Sequence, residues 1–78
     1  MVASGQTPEA ILGKEIARLR RRVGLSQEEL AFRVDVHRTY ISQLERGLKS
    51  PTFRVILKLS EALTITAGRL VGEVEKQL

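Results

Sequence analysis

The chain has 78 residues, which is enough for one small domain. Apolar residues make up 42% of it and charged residues 28%, a balance typical of a globular domain rather than a disordered chain. It contains no cysteine, which excludes disulfide bonds, thiolate metal sites and thiol catalysis, and which fits a reducing compartment. No stretch is long and apolar enough for a transmembrane span, and residues 1–6 lack the features of a signal peptide.

The positive charge is concentrated in the middle of the chain. Thirteen Lys and Arg against nine Asp and Glu give a formal net charge of +4. Residues 14–58 carry eleven basic and five acidic side chains, whereas the segments before and after them are each slightly acidic. A basic centre favours a polyanionic partner, with nucleic acid the leading candidate. The alternative is that the charge only keeps a small domain soluble.

The first predicted helix begins at Thr7-Pro8. Thr7 is a suitable N-cap, and proline is favoured at the first helical position. Gly24 predicts the end of this helix, since glycine adopts the left-handed conformation at little cost. Between them, apolar residues recur at helical spacing at Leu12, Ile16, Leu19 and Val23. We expect a flexible start over residues 1–6 and a single domain over residues 7–78.

Two short helices follow, separated by a tight turn. Ser26 to Glu29 has the pattern of a capping box and predicts a helix from Gln27 to about Arg33. In the turn, Asp35 is the natural left-handed residue because its neighbours Val34 and Val36 are β-branched. The third helix is predicted from about Arg38 to Glu45, with Gly47 as its stop.

The last two helices complete an all-α domain. Ser50-Pro51-Thr52 starts the fourth, which continues through Leu63, and Thr66 caps the fifth. No internal repeat or linker divides the chain. The pattern predicts a compact five-helix architecture.

The second and third helices form the most informative segment. Small Ala31 lies where the two helices must approach each other, and apolar residues fill the wedge between them. The outer face of the third helix is polar and suits the major groove of DNA, which is about 12 Å wide and admits one helix. The alternative is the solvated face of any amphipathic helix. The residues of this face are His37, Arg38, Thr39, Ser42, Gln43 and Arg46.

The segment QEELAFRVDVHRTYISQLERG resembles the helix-turn-helix of the lambda-repressor-like, or xenobiotic-response-element, family. The chain from Leu12 to Leu70 follows that family's plan, including LSQEELA, ISQLERG, SPTF and KLSEAL. HRTYISQLERG and the short length are most similar to the controller proteins of restriction-modification systems. The resemblance implies a five-helix DNA-binding domain with the helix-turn-helix at helices 2 and 3. It also implies a transcriptional regulator that binds a palindromic operator as a homodimer through the major groove.

Roles for individual residues follow from the same resemblance. Arg38, Thr39 and Gln43 correspond to residues that reach base edges. Gln27 and Ser42 resemble phosphate-positioning residues, and Tyr40 corresponds to a further backbone or base contact. His37 departs from the family, which commonly has serine or aspartate at this capping position, and it either caps the helix or faces the groove. Apart from the resemblance, we expect Lys49, in the loop after Gly47, to meet phosphates. The predicted DNA-binding residues are Gln27, His37, Arg38, Thr39, Tyr40, Ser42, Gln43, Arg46 and Lys49.

Three further residues have expected structural roles. Family members pair an arginine of the first helix with a glutamate near the end of the third, and Arg20 and Glu45 match these positions. The alternative is that Arg20 is one more DNA-facing charge in its arginine-rich cluster. Relatives usually have glycine or asparagine where Asp35 stands, so we expect slight strain in the turn.

The fifth helix carries more apolar residues than a small core needs, which predicts a partner surface. The family resemblance implies that the fifth helix and the loop before it form a two-fold dimer. Two-fold symmetry would match palindromic half-sites about 34–36 Å apart. The alternative is that these residues close the core of the monomer. They are Leu70, Val71, Val74 and Leu78.

Nothing in the sequence assembles an active site. One histidine, no cysteine and no phosphate-binding loop predict a protein that is not an enzyme and has no catalytic residues, metal or cofactor. We expect double-stranded DNA as the partner, no membrane, no small-molecule ligand, and a cytoplasmic protein that joins the nucleoid when bound to its operator. Two alternatives remain. One is an antitoxin-type protein that mainly binds a partner protein, with operator binding secondary, and the other is a sequence-tolerant nucleic-acid binder.

Overall fold

A computed structural model describes residues 6–78, and this part of the chain consists of five helices without a strand. The helices are α1 (Pro8–Val23), α2 (Gln27–Val34), α3 (Arg38–Glu45), α4 (Phe53–Ala62) and α5 (Ala67–Lys76). The predicted all-α five-helix architecture is confirmed. Apart from Gln6, the flexible start predicted for residues 1–6 lies outside the described residues.

Hydroxyl side chains start four of the five helices, as the sequence predicts. Thr7 Oγ1 accepts a hydrogen bond from the Ala10 N–H at 3.0 Å, and Thr52 and Thr66 cap α4 and α5 in the same way. Ser26 and Glu29 form the complete capping box of α2. His37 stands at the N-cap of α3, but its side chain makes no capping hydrogen bond. The imidazole therefore does not cap α3 in this structure.

Four helices end at a residue in the left-handed conformation. Gly24 and Gly47 have φ of 80° and 73°, and Asp35 has the left-handed φ of 64° that the turn predicts. Thr64, after α4, also has a positive φ of 60°, which the sequence did not suggest. A β-branched side chain is strained in this conformation. The strained residue lies at a helix end whose carbonyl groups accept hydrogen bonds. The N–H groups of Thr64 and Ile65 donate to Glu61 O and Ser60 O.

The core lies between α1, the α2–α3 pair and the layer of α4 and α5. Its residues are buried aliphatic side chains without an aromatic ring among them. Every helix contributes, so none can leave the bundle without exposing apolar surface. The core residues are Ile16, Leu19, Leu25, Leu30, Ala31, Val34, Ile41, Leu44, Leu59, Leu63 and Leu70.

A close approach of α1 and α3 fixes the position of α3. Gly13 is buried where the two helices cross, and a Cβ atom added there would lie 2.6 Å from Glu45 O. Gly47 likewise faces α1, because an added Cβ would lie 2.7 Å from Ala10 Cα. These two contacts place the C-terminal end of α3 and the turn after it against the backbone of α1.

Candidate nucleic-acid interface

One face of α3 is held in the core and the other faces outward. Ile41 and Leu44 are 0% and 1% exposed. Arg38 and Thr39, in the first turn, are exposed, and Ser42 and Gln43 are half-buried. An exposed arginine and hydroxyl at the start of a rigid helix form a surface that can donate and accept hydrogen bonds at base edges.

A hydrogen-bonded ion pair ties the end of α3 to α1 and α2. Arg20 Nε lies 2.6 Å from Glu45 Oε2, and the two side chains are only 11% and 6% exposed. Gln27 Nε2 also donates to Glu45 Oε1 at 2.9 Å, and Arg20 Nη1 donates to Leu25 O at 2.9 Å. The hydrogen bond to Glu45 raises the pKa of the Arg20 guanidinium above its usual value. The pair expected between Arg20 and Glu45 is thus present, and Gln27, not foreseen in this role, completes it.

A basic groove of about 410 Å³ runs between α1 and α3. Lys14 and Arg21, two turns apart on α1, face Arg46 across it. None of these three cations forms an ion pair within residues 6–78, and the groove's one carboxylate, on Glu45, is already bound by Arg20. Gln27 and Ser42 line the same groove. Sequence reasoning did not select Lys14 and Arg21, because their place beside α3 depends on how the two helices cross.

The other predicted DNA-binding residues occupy different environments. His37 and Lys49 are exposed at the two ends of the α3 region. Tyr40 is half-buried and packs against the core, so only part of its ring is accessible. Arg46 is exposed, with Nε 3.4 Å from Ser42 O. The nine predicted residues lie at the start of α2, at the N-cap of α3, on α3 itself or in the loop after it.

Of the four apolar residues predicted to form a dimer interface, two are buried and two are exposed. Leu70 is 0% and Val74 8% exposed, because α5 uses them to pack within its own chain. They close the monomer core, which corrects their assignment to a free surface. Val71 and Leu78 remain 40% and 52% exposed.

Further exposed apolar residues lie on α4. Phe53 and Leu57, one turn apart, are 75% and 46% exposed. Ile56, three residues after Phe53, shares an apolar groove with Val71. The exposed α4–α5 surface, defined by Phe53, Leu57, Val71 and Leu78, therefore extends beyond the residues that the sequence singled out.

Comparisons with known proteins agree with this arrangement. The family model described as "Helix-turn-helix" matches residues 16–70. The HTH-type transcriptional regulator y4dJ of Sinorhizobium fredii is 41% identical over 66 residues, covering 85% of this chain and 86% of that protein. The solved restriction-modification controller protein C.AhdI of Aeromonas hydrophila is 39% identical with a TM-score of 0.75, covering 78% of this chain and 92% of that one.

A second similar structure contains DNA. The P22 c2 repressor, solved in complex with a synthetic operator, is 32% identical with a TM-score of 0.73, and the match covers 77% of this chain and 91% of that one.

Five helices with an outward-facing α3 beside a basic groove define a DNA-binding regulator. The chain belongs to the helix-turn-helix family, as its resemblance to lambda-repressor-like proteins implies. The family consists of regulators rather than enzymes, which confirms that prediction. No helix within residues 6–78 has the length and apolar character needed to cross a membrane.

Proposed function

We propose that the protein is a sequence-specific transcriptional regulator that binds a palindromic operator as a homodimer, with α3 of each subunit in the major groove. The observation that carries this proposal is the arrangement of α3. Ile41 and Leu44 anchor one face in the core, while Arg38 and Thr39 are exposed on the other side. A rigidly held helix with donors at its start can enter the groove without rearrangement.

In this proposal the residues of α3 read bases. Arg38 forks onto O6 and N7 of a guanine, and Thr39 and Gln43 contact neighbouring base edges. His37 precedes them at the edge of the groove. Tyr40 contributes the accessible part of its ring to a backbone or base contact.

The phosphates are held on both sides of α3. Gln27 Nε2 uses one hydrogen for Glu45 and keeps a second for a phosphate oxygen. Ser42 and Arg46 extend this contact along the basic groove, where Lys14 and Arg21 add two further cations. Lys49 meets the DNA backbone from the loop that follows the C-terminal end of α3. Contacts of this kind supply affinity and fix register without carrying sequence information.

Dimerisation is assigned to the exposed α4–α5 surface. Phe53 and Val71 provide large apolar side chains that the monomer leaves open to water. A surface that pairs with itself about a two-fold axis presents two α3 helices to two half-sites of opposite orientation. We propose this surface as the dimer interface, rather than Leu70 and Val74, because those two residues are buried inside one chain.

The similarity to C.AhdI supports a role as the controller of a restriction-modification system, acting in the cytoplasm and on the nucleoid when bound. In this proposal the protein's concentration sets its activity, through linked dimerisation and DNA binding.

Selection of bound duplexes from a random pool tests the proposal. We expect an enriched sequence with two-fold symmetry, two chains per duplex, and binding that persists at salt concentrations which abolish binding to random DNA. Recovery of no common sequence would contradict sequence-specific regulation. An enriched asymmetric site bound by one chain would contradict the dimer.

The dimer surface has its own test. Phe53→Lys and Val71→Lys should give folded monomers with weakened operator binding, whereas Leu70→Lys should unfold the chain because Leu70 is 0% exposed. Sedimentation equilibrium and circular dichroism separate these outcomes. Dimers that survive both exposed substitutions would assign the interface elsewhere.

A further inference from the structure

A second concave site lies between the end of α1 and the turn that joins α4 to α5. It is a cleft of about 260 Å³ that shares no residue with the basic groove. Leu19 and Leu63, each 2% exposed, form an apolar floor with Ile65. Arg22 and Arg69 line its sides.

The two arginines give the cleft a positive charge that no carboxylate of its lining neutralises. They come from different helices, and neither forms an ion pair within residues 6–78. No carboxylate lines the cleft. Glu73, one turn beyond Arg69 on α5, is bound by Lys76 Nζ at 3.0 Å. Lys76, Arg18 and Arg69 together lower the pKa of the Glu73 carboxyl below its usual value.

Two hydroxyl groups add hydrogen-bond donors. Thr66 Oγ1 accepts the Arg69 N–H at 3.1 Å, which leaves its own hydroxyl hydrogen free to donate. Thr64 also lines the cleft, at a left-handed position where glycine would be less strained. Both threonines therefore offer a donor on the same side of the molecule as the two guanidinium groups.

We propose that this cleft binds a small organic anion, with a carboxylate or phosphate group between Arg22 and Arg69 and a short apolar body on Leu19 and Leu63. The planar guanidinium fork matches both kinds of anionic group. The volume is below the roughly 300–1,000 Å³ of pockets for drug-sized ligands, so the ligand is smaller than these. This site is independent of the DNA-binding role.

Titration of the full-length chain, followed by the amide signals in NMR spectra, tests the proposal. Phenyl phosphate, benzoate and inorganic phosphate serve as probes at constant ionic strength. We expect saturable shifts at residues 63–69, and tighter binding of phenyl phosphate than of inorganic phosphate because only the former has an apolar body. A comparison of phenyl phosphate with benzoate then identifies the preferred anionic group.

Arg22→Gln and Arg69→Gln should each weaken phenyl phosphate binding at least tenfold. Arg54→Gln is the matched control, since Arg54 is an exposed arginine of α4 outside the cleft, and its substitution should leave binding unchanged. Equal affinity in all three variants, shifts confined to the basic groove, or no advantage of phenyl phosphate over inorganic phosphate would overturn the proposal. Operator binding by Arg22→Gln should match that of the parent, so failure here is distinguishable from failure of the DNA-binding proposal.

Discussion

The crossing of α1 and α3 makes Gly13→Ala the most informative stability variant. The added Cβ would lie 2.6 Å from Glu45 O and 2.8 Å from Glu45 C, against 3.4 Å for ordinary contact. The obstacle is backbone, which cannot rotate away, so α3 must move by several tenths of an ångström. Overpacking of this kind costs about 1–3 kcal/mol. Three backbone atoms obstruct the added Cβ, which places the cost in the upper part of this range, at about 2–3 kcal/mol. Because alanine favours a helix by about 1 kcal/mol over glycine, we expect a net loss of about 1–2 kcal/mol.

Thermal unfolding followed by circular dichroism measures this loss. A net loss of about 1–2 kcal/mol corresponds to a melting temperature lowered by roughly 4–16 °C in a domain of this size. Gly72→Ala is the matched control, because Gly72 lies inside α5 with no atom within 4 Å of an added Cβ. It should raise stability by about 0.5–1 kcal/mol. A Gly13→Ala variant that melts at or above the parent temperature would refute the close approach of α1 and α3.

Three further predictions concern the ion pair and the helix ends. Arg20→Met should lower the free energy of unfolding in urea by about 3 kcal/mol, because it leaves the Glu45 carboxylate buried without its partner. Adding Glu45→Leu should recover much of that loss, and no recovery would contradict a buried ion pair. Thr64→Gly should raise the free energy of unfolding by about 0.5–1 kcal/mol, because glycine relieves the left-handed strain. Asp35→Val should lower it by about 1–2 kcal/mol, and an unchanged value would contradict the left-handed conformation of residue 35. Hydrogen bonds from Ser26 lower the pKa of the Glu29 carboxyl. The loss of stability in Glu29→Ala should therefore be greatest above about pH 4.5 and should shrink as the pH falls through the lowered pKa. A loss of stability that grows in acid would contradict the lowered pKa.

Local signals predicted the helices because their causes lie within a few residues. Thr7, Thr52 and Thr66 each bond an amide three residues ahead, so their effect is readable from the sequence alone. The same holds for Asp35, whose β-branched neighbours leave it as the natural left-handed residue. The left-handed Thr64 was not predicted because a β-branched residue rarely adopts this conformation. In the structure it accompanies backbone hydrogen bonds from the Thr64 and Ile65 N–H groups to Glu61 O and Ser60 O.

Features that depend on how helices cross could not be predicted in this way. Gly13 reads as an ordinary helix residue until α3 is placed against it. Lys14 and Arg21 read as solvated charges until the same crossing puts them beside Arg46. Helical periodicity marks which residues of α5 are apolar, but it does not distinguish a side chain that packs inside its own chain from one that faces a partner. Leu70 and Val71 are adjacent and differ in this respect.

Binding titrations with Arg38→Ala and Lys49→Ala test most directly whether α3 reads bases. Each variant is titrated against the selected operator, its single-base variants and random DNA at several salt concentrations. Arg38→Ala should lose about 1–3 kcal/mol on the operator and relax the preference at one base pair per half-site. Lys49→Ala should weaken binding to all sequences about equally and reduce the salt slope by about one per subunit. If Arg38→Ala instead weakens binding to operator and random DNA by the same factor, Arg38 contacts only phosphate, and base readout by this residue is contradicted.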